Sequence, residues 1–148
     1  MKEQVIIAPV GYTPKYKTVN YHLDDQVISD WLSVRALMKL IAPDNWKEFH
    51  VILIHPENDS TREIIYDGIV DDEGNLKPGL ITLFDDNKSI SCIGVEDDLF
   101  VGEQNLTQLI GDLHQRILEI DQEKDLDLTY DLTHAYRHLN FGTLLQSL

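Results

Sequence analysis

The sequence predicts a three-layer α/β domain with a mostly parallel central sheet, and three observations carry that reading. Residues 5–10 (VIIAPV) and 51–54 (VILI) are continuous apolar runs, the pattern of strands covered on both faces. An apolar stripe at helical spacing lies between them, and strand, helix, strand is the parallel crossover unit. A longer helical stripe then leads into residues 126–131, a further strand, with no internal repeat or low-complexity linker to break the alternation.

In chain order, residues 5–10 form the first strand. Val27, Trp31, Val34, Met38 and Ile41 recur at spacings of four and three, which predicts a first helix that Ala42-Pro43 terminates. After the strand at 51–54, Ser60-Thr61-Arg62-Glu63 has the spacing of a capping box and leads into Ile64-Ile65-Tyr66, so a second helix is expected to begin near Ser60. Residues 71–79 collect Asp, Glu, Gly, Asn and Pro, a surface loop without the residue order of a calcium-binding loop. Residues 80–84 and 90–95, separated by Asp85-Asp86-Asn87-Lys88, fit either a hairpin or a strand with an insertion. Leu106, Leu109, Ile110, Leu113, Ile117 and Ile120 mark the longest helix.

Composition narrows the partners. The 148 residues are the size of one domain, long enough to bury a sizeable core. Twelve basic against 26 acidic residues give a net charge of −14, which argues against a surface that coats DNA or RNA, because such binding neutralises many phosphates. Any nucleotide must therefore be held locally. One cysteine, Cys92, sits in the apolar stretch 90–93, which excludes an internal disulfide and predicts a buried, inert thiol. That cysteine, the absence of a basic-then-apolar leader and the absence of an apolar run near the ~18 residues of a membrane span predict a cytoplasmic protein.

The chemistry gathers where strands end. Ligands of open α/β sheets bind at the carboxyl edge, so the loop after the first strand is the first candidate. It lacks a dinucleotide fingerprint, but Gly11 permits a turn, Thr13 offers a hydroxyl, Lys15 and Lys17 offer cations, and Tyr12 and Tyr16 offer stacking faces for a base. Asn58 and Ser60 follow the second apolar strand at the same edge; Asn58 is a candidate for reading a base edge, while helix capping by itself accounts for Ser60. The last strand runs into Asp131-Leu132-Thr133-His134-Ala135-Tyr136-Arg137-His138, a polar cluster that suits a phosphate-bearing ligand. Arg137 can meet a phosphate through two parallel N–H bonds or stack on adenine. Thr133 and the N–H groups opening a following helix suit the same anion. Asp131 repels phosphate and is expected to orient His134 or cap the helix. His134 and His138 are spaced i, i+4, but no Glu follows His134 and no third ligand appears by spacing, so neither a metal nor a cofactor is implied.

Residues 131–139 resemble the signature of CARF domains, the CRISPR-associated Rossmann-fold sensors of cyclic oligoadenylate: Asp, Ile or Leu, Thr, His, Gly, an aromatic residue, Arg, any residue, then Leu or Phe before Pro. Residues 5–12 are similar to that family's first strand and Gly-containing loop, residues 19–24 (VNYHLD) to its short Tyr-x-Leu segment, and residues 94–106 to the stretch before its third helix. Ala135 stands where the family has Gly and Asn140 where it has Pro. Domains of that pattern continue past the position of Leu148 with more helix and at least one further strand, so the resemblance implies a Rossmann-like sandwich with a C-terminally truncated sheet. It also implies a homodimer that binds cyclic oligoadenylate, tetra-adenylate before hexa-adenylate, made by the polymerase subunit of a type III CRISPR complex. A ring of identical adenylates matches two copies of one patch, which a two-fold dimer supplies. The ligand set is then Gly11, Tyr12, Thr13, Lys15, Asn58, Ser60, Asp131, Thr133, His134, Arg137 and His138. An alternative is a metal-independent ring nuclease in which a ribose 2′-OH attacks the adjacent phosphate, with His134 moving the proton and Lys15 stabilising charge. A third is a small-molecule hydrolase or transferase on the same fold, because fold does not fix function.

Overall fold

The computed structural model describes residues 3–9, 19–23, 25–30, 32–57, 59–70, 73–95, 103–121 and 126–131. Strand β1 (Glu3–Pro9) is followed by the antiparallel pair β2 (Val19–Leu23) and β3 (Gln26–Asp30), then α1 (Ser33–Ile41) and a 3-10 turn at Trp46–Glu48. Next come β4 (His50–Pro56), a short α2 (Asp59–Arg62) that widens into a π turn at Glu63–Asp67, and the two-residue strands β5 (Ile69–Val70) and β6 (Leu76–Lys77). A 3-10 turn (Leu80–Phe84), β7 (Ser89–Val95), α3 (Glu103–Ile120) and β8 (Leu126–Tyr130) complete the order.

The central sheet has four strands in the order β7-β4-β1-β8, every neighbouring pair parallel. This is the α/β architecture that the apolar strands require. Residues alternate between faces, so β1 sends Val5 and Ile7 to one layer and Ile6 and Ala8 to the other. In the first layer Leu109, Leu113 and Ile117 of α3 pack on Val5, Ile7, Ile52, Ile54, Ile93 and Val95. In the second, Val34 and Met38 of α1, Ile64 and Ile65 of the π turn, and Leu80 and Phe84 pack on Ile6, Ala8, Val51 and Leu53. The topology explains the division. Two crossovers step one way from β1 to β4 to β7, and the third returns past β1 to β8; with one crossover hand, the reversal sends α3 to the opposite face.

Three sequence expectations are corrected. The helix expected to start at Val27 starts at Ser33, because residues 19–23 and 26–30 pair as a hairpin with Leu23 opposite Gln26, and Val27 lies on β3 with 53% of its surface exposed. A four-three spacing that runs from a strand into a separate helix imitates a helical stripe, and β-branched Val27 and Ile28 favour the strand. Within α1, Val34, Ala36, Met38 and Leu40 are all buried, because the helix is covered by the sheet on one side and by the hairpin on another. The second helix begins at Asp59, next to the expected Ser60, and the correction is to the cap alone, since Ser60 lies inside the first turn rather than before it. Residues 80–84 are a 3-10 turn and only 89–95 form a strand, which runs parallel to β4, so neither the hairpin nor the strand with an insertion describes 80–95. Among the described residues no helix is long and apolar enough to cross a membrane.

Candidate functional site

The strand order reverses between β1 and β8, and the carboxyl ends of two such strands are the place where open α/β sheets have their ligand crevice. The backbone there is well fixed. The Asp131 N–H donates to the Ile7 carbonyl at 3.0 Å, carrying the β8 ladder one residue past Tyr130 and setting the first residue of the polar motif against β1. Tyr130 packs toward the α3 layer, so strand alternation turns Asp131 to the α1 layer, where it is buried.

Two further acidic or phenolic groups share that side. Burial raises the Tyr21 phenol above its ordinary value, and the carboxylates of Asp30 and Asp131 raise it further. Tyr21 on β2 therefore stands between the end of the hairpin and the start of the motif. Asp30, at the end of β3, has a side chain only 3% exposed and is matched by two cations of α1, Arg35 Nη1 at 3.1 Å and Lys39 Nζ at 2.9 Å. Both cations also lie over the half-buried Trp46 ring, with Lys47 Nζ at 5.7 Å from its centroid. Spacing places Arg35 and Lys39 on one face of α1, so a single carboxylate can bind both. The buried Arg35 Nε has no hydrogen-bond partner among the described residues. The two ion pairs tie the hairpin to α1 on the side of the sheet where Asp131 is buried.

A second polar group sits at the carboxyl end of β4. His55 is fully buried, its Nε2 lies 3.4 Å from the Tyr66 hydroxyl, and Arg62 pairs with Glu57. Burial, followed by the neighbouring Cys92, pushes the Tyr66 phenol up to about 12, and burial raises the Cys92 thiol as well. Cys92 is half-buried on β7 and, with its thiol raised, is protonated at neutral pH, which suits an inert thiol. The Tyr66 shift has a measurable sign. An unfolded tyrosine ionises near pH ~10 while the native phenol keeps its proton to about pH 12, so the native state holds more protons in that window and stability should fall as pH rises through it. Tyr66→Phe should flatten that part of the stability–pH curve, read by urea titration alongside tyrosinate absorbance.

Of the residues that the sequence singles out, Asp131 is placed at the crevice and buried, and Ser60 is placed in α2. Gly11, Tyr12, Thr13, Lys15, Asn58, Thr133, His134, Arg137 and His138 lie outside the described residues. Sequence reasoning passed over Asp30, Arg35 and Lys39 entirely and met Tyr21 only within the Tyr-x-Leu segment. The i, i+4 spacing of Arg35 and Lys39, following an Asp that closes a strand pattern, is the signal that would have found the first three. Among the described residues no group of three or more His, Cys, Asp or Glu side chains could hold a metal ion. Comparison with protein-family models, with curated proteins and with solved structures finds no match.

Proposed function

We propose that the chain is a CARF-like sensor domain that binds cyclic oligoadenylate at the β1–β8 crevice, as a homodimer. The observation that carries this reading is the strand order: β7-β4-β1-β8 puts its reversal between the two strands whose following segments hold Gly11-Tyr12-Thr13-Pro14-Lys15 and the motif beginning at Asp131. The hydrogen bond from Asp131 to Ile7 supports it, because it joins the two strand ends to which those segments are attached. Asp131 then acts as an anchor rather than a phosphate contact: a buried carboxylate at the strand end holds the motif's first residue while the cationic and hydroxyl groups that follow meet the ligand. With a net charge of −14, an anionic ring needs such local cations.

Cyclic tetra-adenylate at ~100 times its dissociation constant should raise the unfolding free energy by about 2.7 kcal/mol. Calorimetry should give one ring per two chains. Arg137→Ala should weaken binding by about 2 kcal/mol, with Arg137→Lys recovering part of it, because a point charge replaces a planar fork. An unchanged melting curve with both tetra- and hexa-adenylate rings would remove the reading. Linear adenylates in the same incubation would assign the ring-nuclease activity, with His134 and Lys15 as the residues to replace next.

A further inference from the structure

The amino edge of the sheet, opposite the crevice, carries a connected set of three side chains from three adjacent strands. β1 opens on Glu3, β4 on His50 and β7 on Ser89, and the parallel register sets His50 directly beside Ser89. Ser89 Oγ lies 2.7 Å from His50 Nδ1, and Glu3 Oε2 lies 3.0 Å from His50 Nε2. Lys88 Nζ holds the same Glu3 oxygen at 3.1 Å. That bond, followed by the one from His50, keeps the Glu3 carboxyl below the ordinary carboxylate value, so at neutral pH Glu3 is an acceptor. The consequence is a defined tautomer. A neutral imidazole that donates Nε2–H to Glu3 has its lone pair on Nδ1, aimed at the Ser89 hydroxyl. A hydroxyl within hydrogen-bond reach of a base that a third group orients is the arrangement that activates a serine.

A cavity of about 210 Å³ adjoins these groups. Its lining includes His50, Ser89 and Ser91, apolar walls from Ile52 and Ile120, and on α3 Arg116 with Glu119, whose carboxylate lies 3.6 Å from the Arg116 guanidinium. We propose that Ser89, His50 and Glu3 form a second, catalytic site that hydrolyses short-chain acyl esters. Ser89 Oγ attacks the ester carbonyl carbon as its proton passes to His50 Nδ1. The tetrahedral intermediate collapses, the bond to the alcohol oxygen breaks, and the alcohol leaves with the proton from His50. Water then attacks the acyl-Ser89 carbonyl, again giving a proton to His50, and that proton returns to Ser89 Oγ as the carboxylic acid departs. Ester and water become acid and alcohol, with no other reactant. Glu3 is the positioning residue, fixing the imidazole tautomer.

The folded protein should be treated with diisopropyl fluorophosphate and its peptides mapped by mass, and p-nitrophenyl acetate turnover measured in parallel. The expected result is a covalent adduct on Ser89 and multiple turnover that Ser89→Ala abolishes. His50→Gln should slow both reactions by on the order of a hundredfold or more. Glu3→Gln should leave Ser89 reactive but change the pH dependence of the rate, a readout that a purely structural role for Glu3 would not move. Absence of an adduct on Ser89 in wild-type protein, or ester turnover that survives Ser89→Ala, would overturn the proposal. Because the site lies at the opposite edge of the sheet, its failure leaves cyclic oligoadenylate binding untouched.

Discussion

Replacing Phe84 with alanine is expected to cost about 3–5 kcal/mol of folding free energy, the range for a fully buried aromatic side chain truncated in a close-packed interior. Phe84 closes a 3-10 turn and has no exposed surface, in a layer with Met38, Leu53 and Ile65. The short turn cannot collapse into the space, because the next residues must still reach the start of β7. Urea denaturation should show a lower midpoint with an unchanged slope. Leu113→Ala, in the α3 layer, should cost about 2–5 kcal/mol by the same mechanism. With the sheet between them the two losses should add to within about 0.5 kcal/mol. A loss below ~1 kcal/mol for Phe84→Ala would show that the 3-10 turn is no part of the core.

Gly68→Ala is the second large effect, through the backbone. Gly68 connects the π turn to β5 with φ +93°, and its N–H donates to the Glu63 carbonyl at 2.8 Å. A Cβ there would strike the Lys77 carbonyl oxygen and approach the Pro78 Cα to 3.0 Å. Backbone atoms cannot swing aside as a flexible side chain can. Strain at positive φ and displacement of the β6 strand together should cost about 2–4 kcal/mol. Gly74 is the internal comparison, since its φ is +84° but nothing lies near an added Cβ. Gly74→Ala should therefore lose only the conformational part, about 1–2 kcal/mol. Equal losses at the two positions would mean that the contact with residues 77 and 78 is unimportant.

How far the chain can be read without its structure depends on whether a segment carries its own pattern. The strands at 5–10 and 51–54 were legible because a strand buried on both faces must be apolar at every position, and the strand at 126–131 because Leu126 and Leu128 alternate with polar Asp127 and Thr129. The stripe of Leu109, Leu113 and Ile117 was legible because α3 meets the sheet along one face only. Residues 27–34 misled for the same reason in reverse. Val27 and Val34 belong to different elements that happen to lie seven residues apart, and only the pairing of β2 with β3 separates them. The polar segments after the first and last strands were visible as chemistry, but their relation was not.

The sequence by itself determined that apolar strands alternate with helices and that polar groups cluster after two of those strands, since burial demands and side-chain types are local properties. Only the tertiary structure decided that those two strands are neighbours, with the order of the sheet reversing between them. The same holds for Asp131, which turns inward toward Tyr21, for Asp30, which gathers Arg35 and Lys39, and for Ser89, His50 and Glu3, which share one edge. Residues 3, 50 and 89 meet because parallel pairing sets His50 beside Ser89 and opposite Val5, two residues along β1 from Glu3, a long-range register that no local pattern encodes.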